Sequence, residues 1–287
     1  MKNKLIFEFS KNKTDGDSSL NNLLGGKGAN LAEMSNMKIP VPPGFTITTE
    51  VCNYFTENNK LPDNLDNEIR KAVKNLESLS DKSFGGEGTP LLLSVRSGGR
   101  VSMPGMMDSV LNIGLNDSNV FQLAEAFNDE RFALDSYRRL IQMYSNVVLG
   151  VEHERFEAVL ANKKRMDNVV SDADFNVDQL NWIINAYKNT VERFTDSLFP
   201  QEPYEQLTGA IEAVFNSWQN KRAVIYRKIN NIPDSWGTGA TIQTMVFGNL
   251  NDKSGTGVAF TRNPSNGDRE LYGCLLYTSP SPRDEKV

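Results

Sequence analysis

Three segments of the sequence combine residue types that can bind phosphate groups or a purine base. The first is residues 25–28, Gly-Gly-Lys-Gly, which precede a run of helix-forming residues. Glycines at Gly26 and Gly28 let backbone N–H groups approach a phosphate, and a helix N-terminus adds partial positive charge. Lys27 supplies a full counter-charge, although the segment is not a Walker A motif. A phosphate-binding turn is the functional interpretation, and a glycine-rich turn with a solvated lysine is the alternative.

The second segment is residues 94–100, Ser-Val-Arg-Ser-Gly-Gly-Arg, which leaves the end of a predicted buried strand. Arg96 and Arg100 are four residues apart, so on extended backbone their side chains point to the same side. Together with Ser97 and Gly98 they offer guanidinium forks, a hydroxyl and backbone amides, a set that suits polyphosphate. The alternative is a salt-bridged surface turn.

A methionine-rich segment follows directly at residues 102–108, Ser-Met-Pro-Gly-Met-Met-Asp. Methionine side chains are adaptable, so this segment either forms a mobile flap over a ligand or fills the core in the ordinary way. Asp108 either reaches a magnesium ion or caps a turn.

The third segment lies near the C-terminus. Residues 240–248 and 257–262 are rich in strand-forming residues and flank a polar turn, which predicts a β-hairpin. Gln243, Met245 and the backbone around Val246 can line an adenine pocket, which needs an apolar slot and hydrogen bonds to the base edge. A plain hairpin with a polar end explains the same pattern.

The remaining periodicity predicts the elements that must position these residues. Long helical patterns fill residues 117–230, and strand patterns lie before and after them. This order favours a mixed α+β fold with an all-helical insertion over a regular βαβ array. The other predicted elements are an edge strand at 5–9, a strand at 44–49, a helix at 64–80, a buried strand at 91–95 and helices within 121–127, 134–148, 156–165, 180–194 and 207–229.

Composition excludes several classes of function. The 287 residues carry 31 Lys and Arg against 36 Asp and Glu, a net charge of −5, so no basic field attracts nucleic acid or anionic membranes. Two cysteines give no disulfide framework, and no run approaches the roughly 18 apolar residues of a membrane span. No signal peptide is visible, so we expect a cytoplasmic protein. The single histidine, His153, reads as a solvated helix residue, and we predict no metal site.

Six longer stretches of residues occur in the same order as in a known family, and the resemblance covers about residues 5–273. They resemble the pyruvate, phosphate dikinase family, and Ser-Met-Pro-Gly-Met-Met-Asp separates them from the related phosphoenolpyruvate synthases. The stretches are residues 23–34, 41–50, 94–108, 132–144, 243–249 and 254–264.

The resemblance implies an ATP-grasp-type nucleotide-binding domain, an α+β fold whose second lobe is truncated here. The implied divisions are a first lobe at 1–116, a helical insertion at 117–203, a return helix at 204–239, the start of a second lobe at 240–273 and an adapter-like, non-native tail at 274–287. A natural C-terminus is the alternative for the tail.

The resemblance also implies a reaction, in which ATP, pyruvate and inorganic phosphate give AMP, phosphoenolpyruvate and diphosphate. Magnesium is the implied cofactor, and the strands that carry its ligands in the family have no counterpart in this sequence. The family's carrier histidine and pyruvate-binding barrel have no counterpart here either. We therefore expect an ATP-binding fragment of a homodimeric enzyme, inactive alone. A stand-alone nucleotide-binding module and a pseudo-enzyme are the alternatives.

By motif position, the resemblance implies a role for each candidate residue. Lys27 and Arg96 would hold the ATP phosphates, and Arg100 would help with their charge. Met107 and Thr261 would border the triphosphate. The residues that would face the adenine are Gln243, Met245 and Val246.

Overall fold

The computed structural model describes residues 4–251 and 253–276, which divide after Met245 into two compact units. The first unit combines a five-stranded antiparallel sheet with nine helices among its described residues. Its strands are β1 (Ile6–Phe9), β2 (Gly44–Ile47), β3 (Leu93–Gly98), β4 (Ser109–Ile113) and β5 (Gly239–Thr244). Its helices are α1 (Asn21–Asn36), α2 (Thr49–Asn58), α3 (Leu65–Ser80), α4 (Val120–Phe127), α5 (Glu130–Val147), α6 (His153–Asp167), α7 (Val177–Thr195), α8 (Pro203–Asn216) and α9 (Lys221–Ile229).

The order of strands in the sheet is β1-β2-β5-β3-β4, so β5 lies in the middle. One face is apolar: Phe45, Ile242 and Val95 are opposite one another on β2, β5 and β3 and are fully buried. Each such side chain contributes roughly 2 kcal/mol to the free energy of unfolding. Helices α2 and α8, which also contact the sheet, meet each other at Phe55 and Phe215, with ring centroids 6.0 Å apart.

The other face of the sheet is polar. Thr46, Thr241 and Arg96 occupy opposed positions on β2, β5 and β3. Helix α1 lies close to this face: a Cβ added at Gly28 would be only 2.7 Å from Thr46 Oγ1. The sequence therefore places small residues on the helix where it approaches polar strands, and this contact positions the candidate site.

Helix α5 is the centre of the helical region and packs against α4, α6, α7 and β4. Its N-cap is Asp129, whose carboxylate accepts a hydrogen bond from Phe132 N at 2.8 Å. Inside the helix, Asp135 accepts from Arg138 Nε at 2.8 Å and Arg139 Nε at 2.9 Å. His153 begins α6 with its side chain 36% exposed and 3.3 Å from Glu157, which confirms a solvated helix histidine.

The periodicity predictions are confirmed in part. Helix α3 lies where it was expected, with Ile69, Val73 and Leu76 buried. The stretch predicted as one helix at 207–229 is two helices, α8 and α9, separated by a 3-10 turn. Helix α2 was not predicted. No helix among the described residues is long and apolar enough to cross a membrane.

The predicted β-hairpin is wrong. Strand β5 pairs with β2 and β3, whereas β6 (Thr256–Phe260) pairs with β7 (Tyr272–Leu276) in a two-stranded sheet of the second unit. All six residues of β5 are buried, so the strand needs partners on both edges, and these come from sequence-distant segments. The compact units therefore divide after Met245, six residues later than the predicted lobe boundary. Of the predicted tail, Cys274–Leu276 lies in β7 and residues 277–287 are outside the described residues.

Replacement of Asp135 by Asn will destabilise the helical region. Burial raises the pKa of Asp135, but the Arg138 and Arg139 guanidinium groups together lower it by more. The pKa of Asp135 in the folded protein is therefore below its ordinary value. The Asn variant leaves Arg138, 3% exposed, without its main counter-charge, and we expect about 3 kcal/mol less free energy of unfolding at pH 7.

Urea denaturation at pH 7 and pH 3 measures this loss. Since the folded pKa is lowered, the contribution of Asp135 is present above the unfolded value of about 4 and is lost as pH falls through the folded pKa. The difference between wild type and variant should therefore shrink at pH 3. Asp66→Asn, which removes an exposed ion pair with Arg70, is the control and should cost less than about 1 kcal/mol. Equal losses in the two variants would contradict the assignment.

Candidate functional site

The candidate site is built around a break in helix α1. Gly25, at φ 67° and ψ 165°, is not helical and divides the element into a first turn and a continuous helix that follows. The helix thus begins at Asn21, earlier than predicted, yet residues 26–28 do open its continuous part. A Cβ at Gly25 would lie 1.7 Å from the Gly98 carbonyl oxygen, so only glycine fits this contact.

Three hydrogen bonds join the glycine-rich turn to the arginine segment. Gly26 N donates to Gly99 O at 2.8 Å, and Asn21 Nδ2 donates to Arg100 O at 3.0 Å. The third runs from the Lys27 ammonium to the Ser97 carbonyl. The first two predicted phosphate-binding segments therefore lie side by side, although the Gly26 N–H is engaged within the protein.

Arg96 is held on the polar face of the sheet. Strand β3 continues through Gly98, so Arg96 is part of the strand and not of the loop that the sequence indicated. Its guanidinium donates to Gln243 Oε1, and Gln243 Nε2 donates to Pro42 O at 2.8 Å. The amide of Gln243, which the resemblance assigns to adenine, thus also orients Arg96.

Arg100 lies beyond the strand and differs from Arg96 in its surroundings. Its Cζ is 5.2 Å from the centroid of the Trp236 ring. Its Nε is buried without a hydrogen-bond partner, and within the described chain its guanidinium forms no ion pair with a carboxylate. A buried donor without an acceptor costs about 1–3 kcal/mol, and an anionic ligand would supply the acceptor.

The methionine segment packs on the glycines of the arginine segment. A Cβ at Gly99 would be 3.5 Å from Met107 Cε and 3.9 Å from Met103 Sδ. Met103 is buried, as the core-filling alternative predicts, whereas Met107 is half-buried. The core-filling alternative therefore holds for Met103, and the flap over a ligand stays a prediction for Met107.

Asp108 is engaged within the protein. It accepts from Asn220 Nδ2 at 2.8 Å and from the Arg222 guanidinium, whose Nε also donates to Met106 O at 3.1 Å. In residues 4–251 and 253–276 no group of three or more His, Cys, Asp or Glu residues is arranged to hold a metal ion.

The other candidates fall in two places. Met245 N donates to Leu92 O at 2.9 Å, which fixes the end of β5 in the first unit. Val246, 68% exposed, and Thr261, also exposed, belong to the second unit. The candidates that lie in the first unit are Gly26, Lys27, Gly28, Arg96, Ser97, Gly98, Arg100, Met107, Gln243 and Met245.

Sequence reasoning missed four residues of this region: Asn21, Arg222, Trp236 and Thr238. Thr238 Oγ1 accepts a hydrogen bond from Gly98 N at 3.1 Å and so ties the strand end to the turn before β5. No local motif distinguishes these residues. Trp236 and Thr238 are about 140 positions from their partners in the sequence, and only the central position of β5 brings them together.

The geometry defines a class of site before any comparison. A lysine at the start of a continuous helix lies close to a strand end that bears arginines, and these residue types suit an anionic ligand. The sequence matches the family described as "Pyruvate phosphate dikinase, AMP/ATP-binding domain" over residues 21–84 and 60–274. The chain belongs to this family.

Curated relatives extend the comparison. The chain is 51% identical to pyruvate, phosphate dikinase of Rickettsia conorii over 274 residues, which is 95% of this chain and 31% of the relative. It is 48% identical to pyruvate, phosphate dikinase of Clostridium symbiosum (95% and 31%) and 48% identical to the chloroplastic enzyme of Mesembryanthemum crystallinum (95% and 29%). The chain spans about a third of the length of these relatives.

Gly25→Ala will disrupt the site and the fold together. The backbone conformation at Gly25 is one that only glycine adopts readily, at a cost of order 1–3 kcal/mol for other residues, and the added methyl group would overlap the Gly98 carbonyl. We expect a loss of about 3 kcal/mol in the free energy of unfolding, measured by urea denaturation.

Gly26→Ala is the matched control for this variant. Its Cβ would meet Asn21 Oδ1 at 3.4 Å and Gly99 O at 3.5 Å, which are ordinary contacts, and alanine favours helix. We expect its stability to stay within about 1 kcal/mol of wild type. If Gly25→Ala were equally well tolerated, the close contact between α1 and β3 would not be required.

Proposed function

We propose that the chain is the ATP-binding part of a pyruvate, phosphate dikinase and that it holds the nucleotide phosphates at Lys27, Arg96 and Arg100. The observation that carries the proposal is the Arg100 guanidinium, which has a buried Nε without a hydrogen-bond partner and forms no ion pair among the described residues. Such a cation, next to a second arginine and a lysine, favours a multiply charged anion. Family membership makes ATP the expected source of that anion.

Each proposed role rests on a specific position. Lys27 follows the break in α1, where the helix dipole adds to its charge. Arg96 lies on rigid strand backbone, oriented by Gln243, so little side-chain freedom remains to be lost when a phosphate binds. Assignment of Gln243, Met245 and Val246 to adenine, and of Met107 and Thr261 to the edge of the triphosphate, rests on the resemblance.

The proposed fold is ATP-grasp, with residues 117–203 as a helical insertion and a second lobe of which only the start belongs to this chain. Phosphoryl transfer depends mainly on positioning and on neutralising spread negative charge, and the three cations would serve both purposes. Magnesium would neutralise further charge in the complete enzyme, but its ligands are not proposed among these residues. Inorganic phosphate and pyruvate would be substrates of the longer protein. Its dimerisation and cytoplasmic location stay predictions.

Lys27→Ala and Arg96→Ala will each weaken ATP binding. Loss of one charge-assisted contact of about 1.5–3 kcal/mol corresponds to a roughly 10- to 150-fold higher dissociation constant. Isothermal titration calorimetry of the 287-residue chain with ATP measures it. Arg96→Lys should recover part of the affinity, because it keeps the charge and loses the planar fork.

Lys60→Ala is the matched control, since Lys60 is exposed and pairs only with the neighbouring exposed Asp63. Its dissociation constant for ATP should equal that of wild type, and urea denaturation should show that all variants are folded. An unchanged affinity for ATP in both the Lys27→Ala and Arg96→Ala variants would refute the proposed phosphate site.

The 287-residue chain alone will not form AMP from ATP in a pyruvate-dependent reaction. It spans 31% of a relative that carries the name of the whole activity, and its one histidine sits on helix α6 beside Glu157. The resemblance places phosphoryl carriage on a histidine in a further domain. Chromatographic assay of AMP with and without pyruvate and inorganic phosphate measures this. Pyruvate-dependent turnover by the purified chain would contradict the fragment interpretation.

A further inference from the structure

We propose that Trp236 is a positioning residue for phosphate binding, because its indole face holds the Arg100 guanidinium in place. The inference rests on the proposed function, since it concerns how one of the three cations is presented. The observation behind it is the stack itself: Arg100 Cζ lies 5.2 Å from the Trp236 ring centroid, inside the range of a cation–π interaction.

The turn that carries Trp236 is anchored from several sides. Trp236 ends a 3-10 turn, Asp234–Trp236, whose Asp234 carboxylate accepts from Arg227 Nε at 2.8 Å. The Asp234 carbonyl accepts from Trp218 Nε1 at 3.0 Å. Arg227 and Trp218 are each 1% exposed, so the turn is fastened to a buried pair rather than to the surface.

Two further contacts fix the same turn next to the arginine segment. Asn53 Nδ2 of helix α2 donates to Ser235 O at 2.9 Å. Thr238 Oγ1, two residues after Trp236, accepts from Gly98 N at 3.1 Å. The turn therefore contacts the arginine segment at both Gly98 and Arg100, and the indole is a fixed platform for the guanidinium.

An aromatic platform differs from a carboxylate in what it leaves available. Arg222 is paired with the Asp108 carboxylate, which accepts from one guanidinium N–H group and opposes its charge, and Arg222 Nε donates to Met106 O. A guanidinium that lies over an indole ring is restrained without a counter-charge, so its charge and its N–H donors stay available to a phosphate. Trp236 thus restrains Arg100 without neutralising it, which is the requirement for an anion-binding arginine.

The proposal is tested by dissociation constants for ATP of the 287-residue chain and four variants: Trp236→Ala, Trp236→Phe, Arg100→Ala and the Trp236→Ala/Arg100→Ala double variant. We expect Trp236→Ala to weaken binding about 2- to 30-fold and Trp236→Phe to weaken it less, because phenylalanine retains an aromatic face. In the Arg100→Ala background, Trp236→Ala should have no further effect, because its contribution passes through the guanidinium.

Trp182→Ala is the matched control. Trp182 lies under Lys163, with Nζ 4.9 Å from the ring centroid, on helix α7 in the helical region. The Trp182→Ala substitution removes a tryptophan and a cation–π contact of the same kind, and the affinity of the chain for ATP should not change. The indole N–H resonances of the three tryptophans give a second readout, in which Arg100→Ala and ATP should each shift the Trp236 signal and leave the Trp182 signal in place.

The possible outcomes separate this inference from the proposed function. If Arg100→Ala weakens ATP binding and Trp236→Ala does not, the positioning role is refuted and the phosphate grip stands. If Trp236→Ala weakens binding equally in the Arg100→Ala background, Trp236 acts through another group and the inference is refuted. If the chain binds no ATP at millimolar concentration, or if the Lys27, Arg96 and Arg100 variants all bind normally, the proposed function fails and the inference fails with it.

Discussion

The site depends on a direct backbone contact between residues 25–26 of α1 and residues 98–99 at the end of β3. Gly25 approaches the Gly98 carbonyl more closely than any side chain allows, and Gly26 N–H bonds to the Gly99 carbonyl. A Cβ at Gly239 would likewise be 2.7 Å from the Leu24 carbonyl, so the start of β5 shares the constraint. Close contacts at Gly25 of α1, Gly98 of β3 and Gly239 of β5 thus bring a lysine and two arginines into one region.

The partners of these cations explain why their proximity is useful. The Lys27 ammonium donates to a backbone carbonyl, the Arg96 guanidinium to an amide oxygen, and Arg100 stacks on an indole. Each of these three groups is uncharged and orients the side chain that contacts it. Two buried arginines of the same chain, Arg138 and Arg227, instead form ion pairs with carboxylates. Arg100, by contrast, contacts an indole and forms no ion pair among the described residues.

The sequence was sufficient for the parts of this arrangement that have local signals. The helical period placed α3 and the helical region, and the glycines and cations at 25–28 and 94–100 identified segments that do meet. The central position of β5 in the sheet could not be predicted, because its partner strands β2 and β3 lie about 140 to 200 residues away and no local signal identifies them. Trp236 was missed for the same reason: its role follows from that pairing and not from its neighbours in the sequence.

A crystal structure of the chain with a non-hydrolysable ATP analogue tests the central claim most directly. The account predicts phosphate oxygens within hydrogen-bond distance of the Lys27 ammonium and of the Arg96 and Arg100 guanidinium groups, with Arg100 still stacked on Trp236. A nucleotide whose phosphates contact none of these three side chains would contradict it.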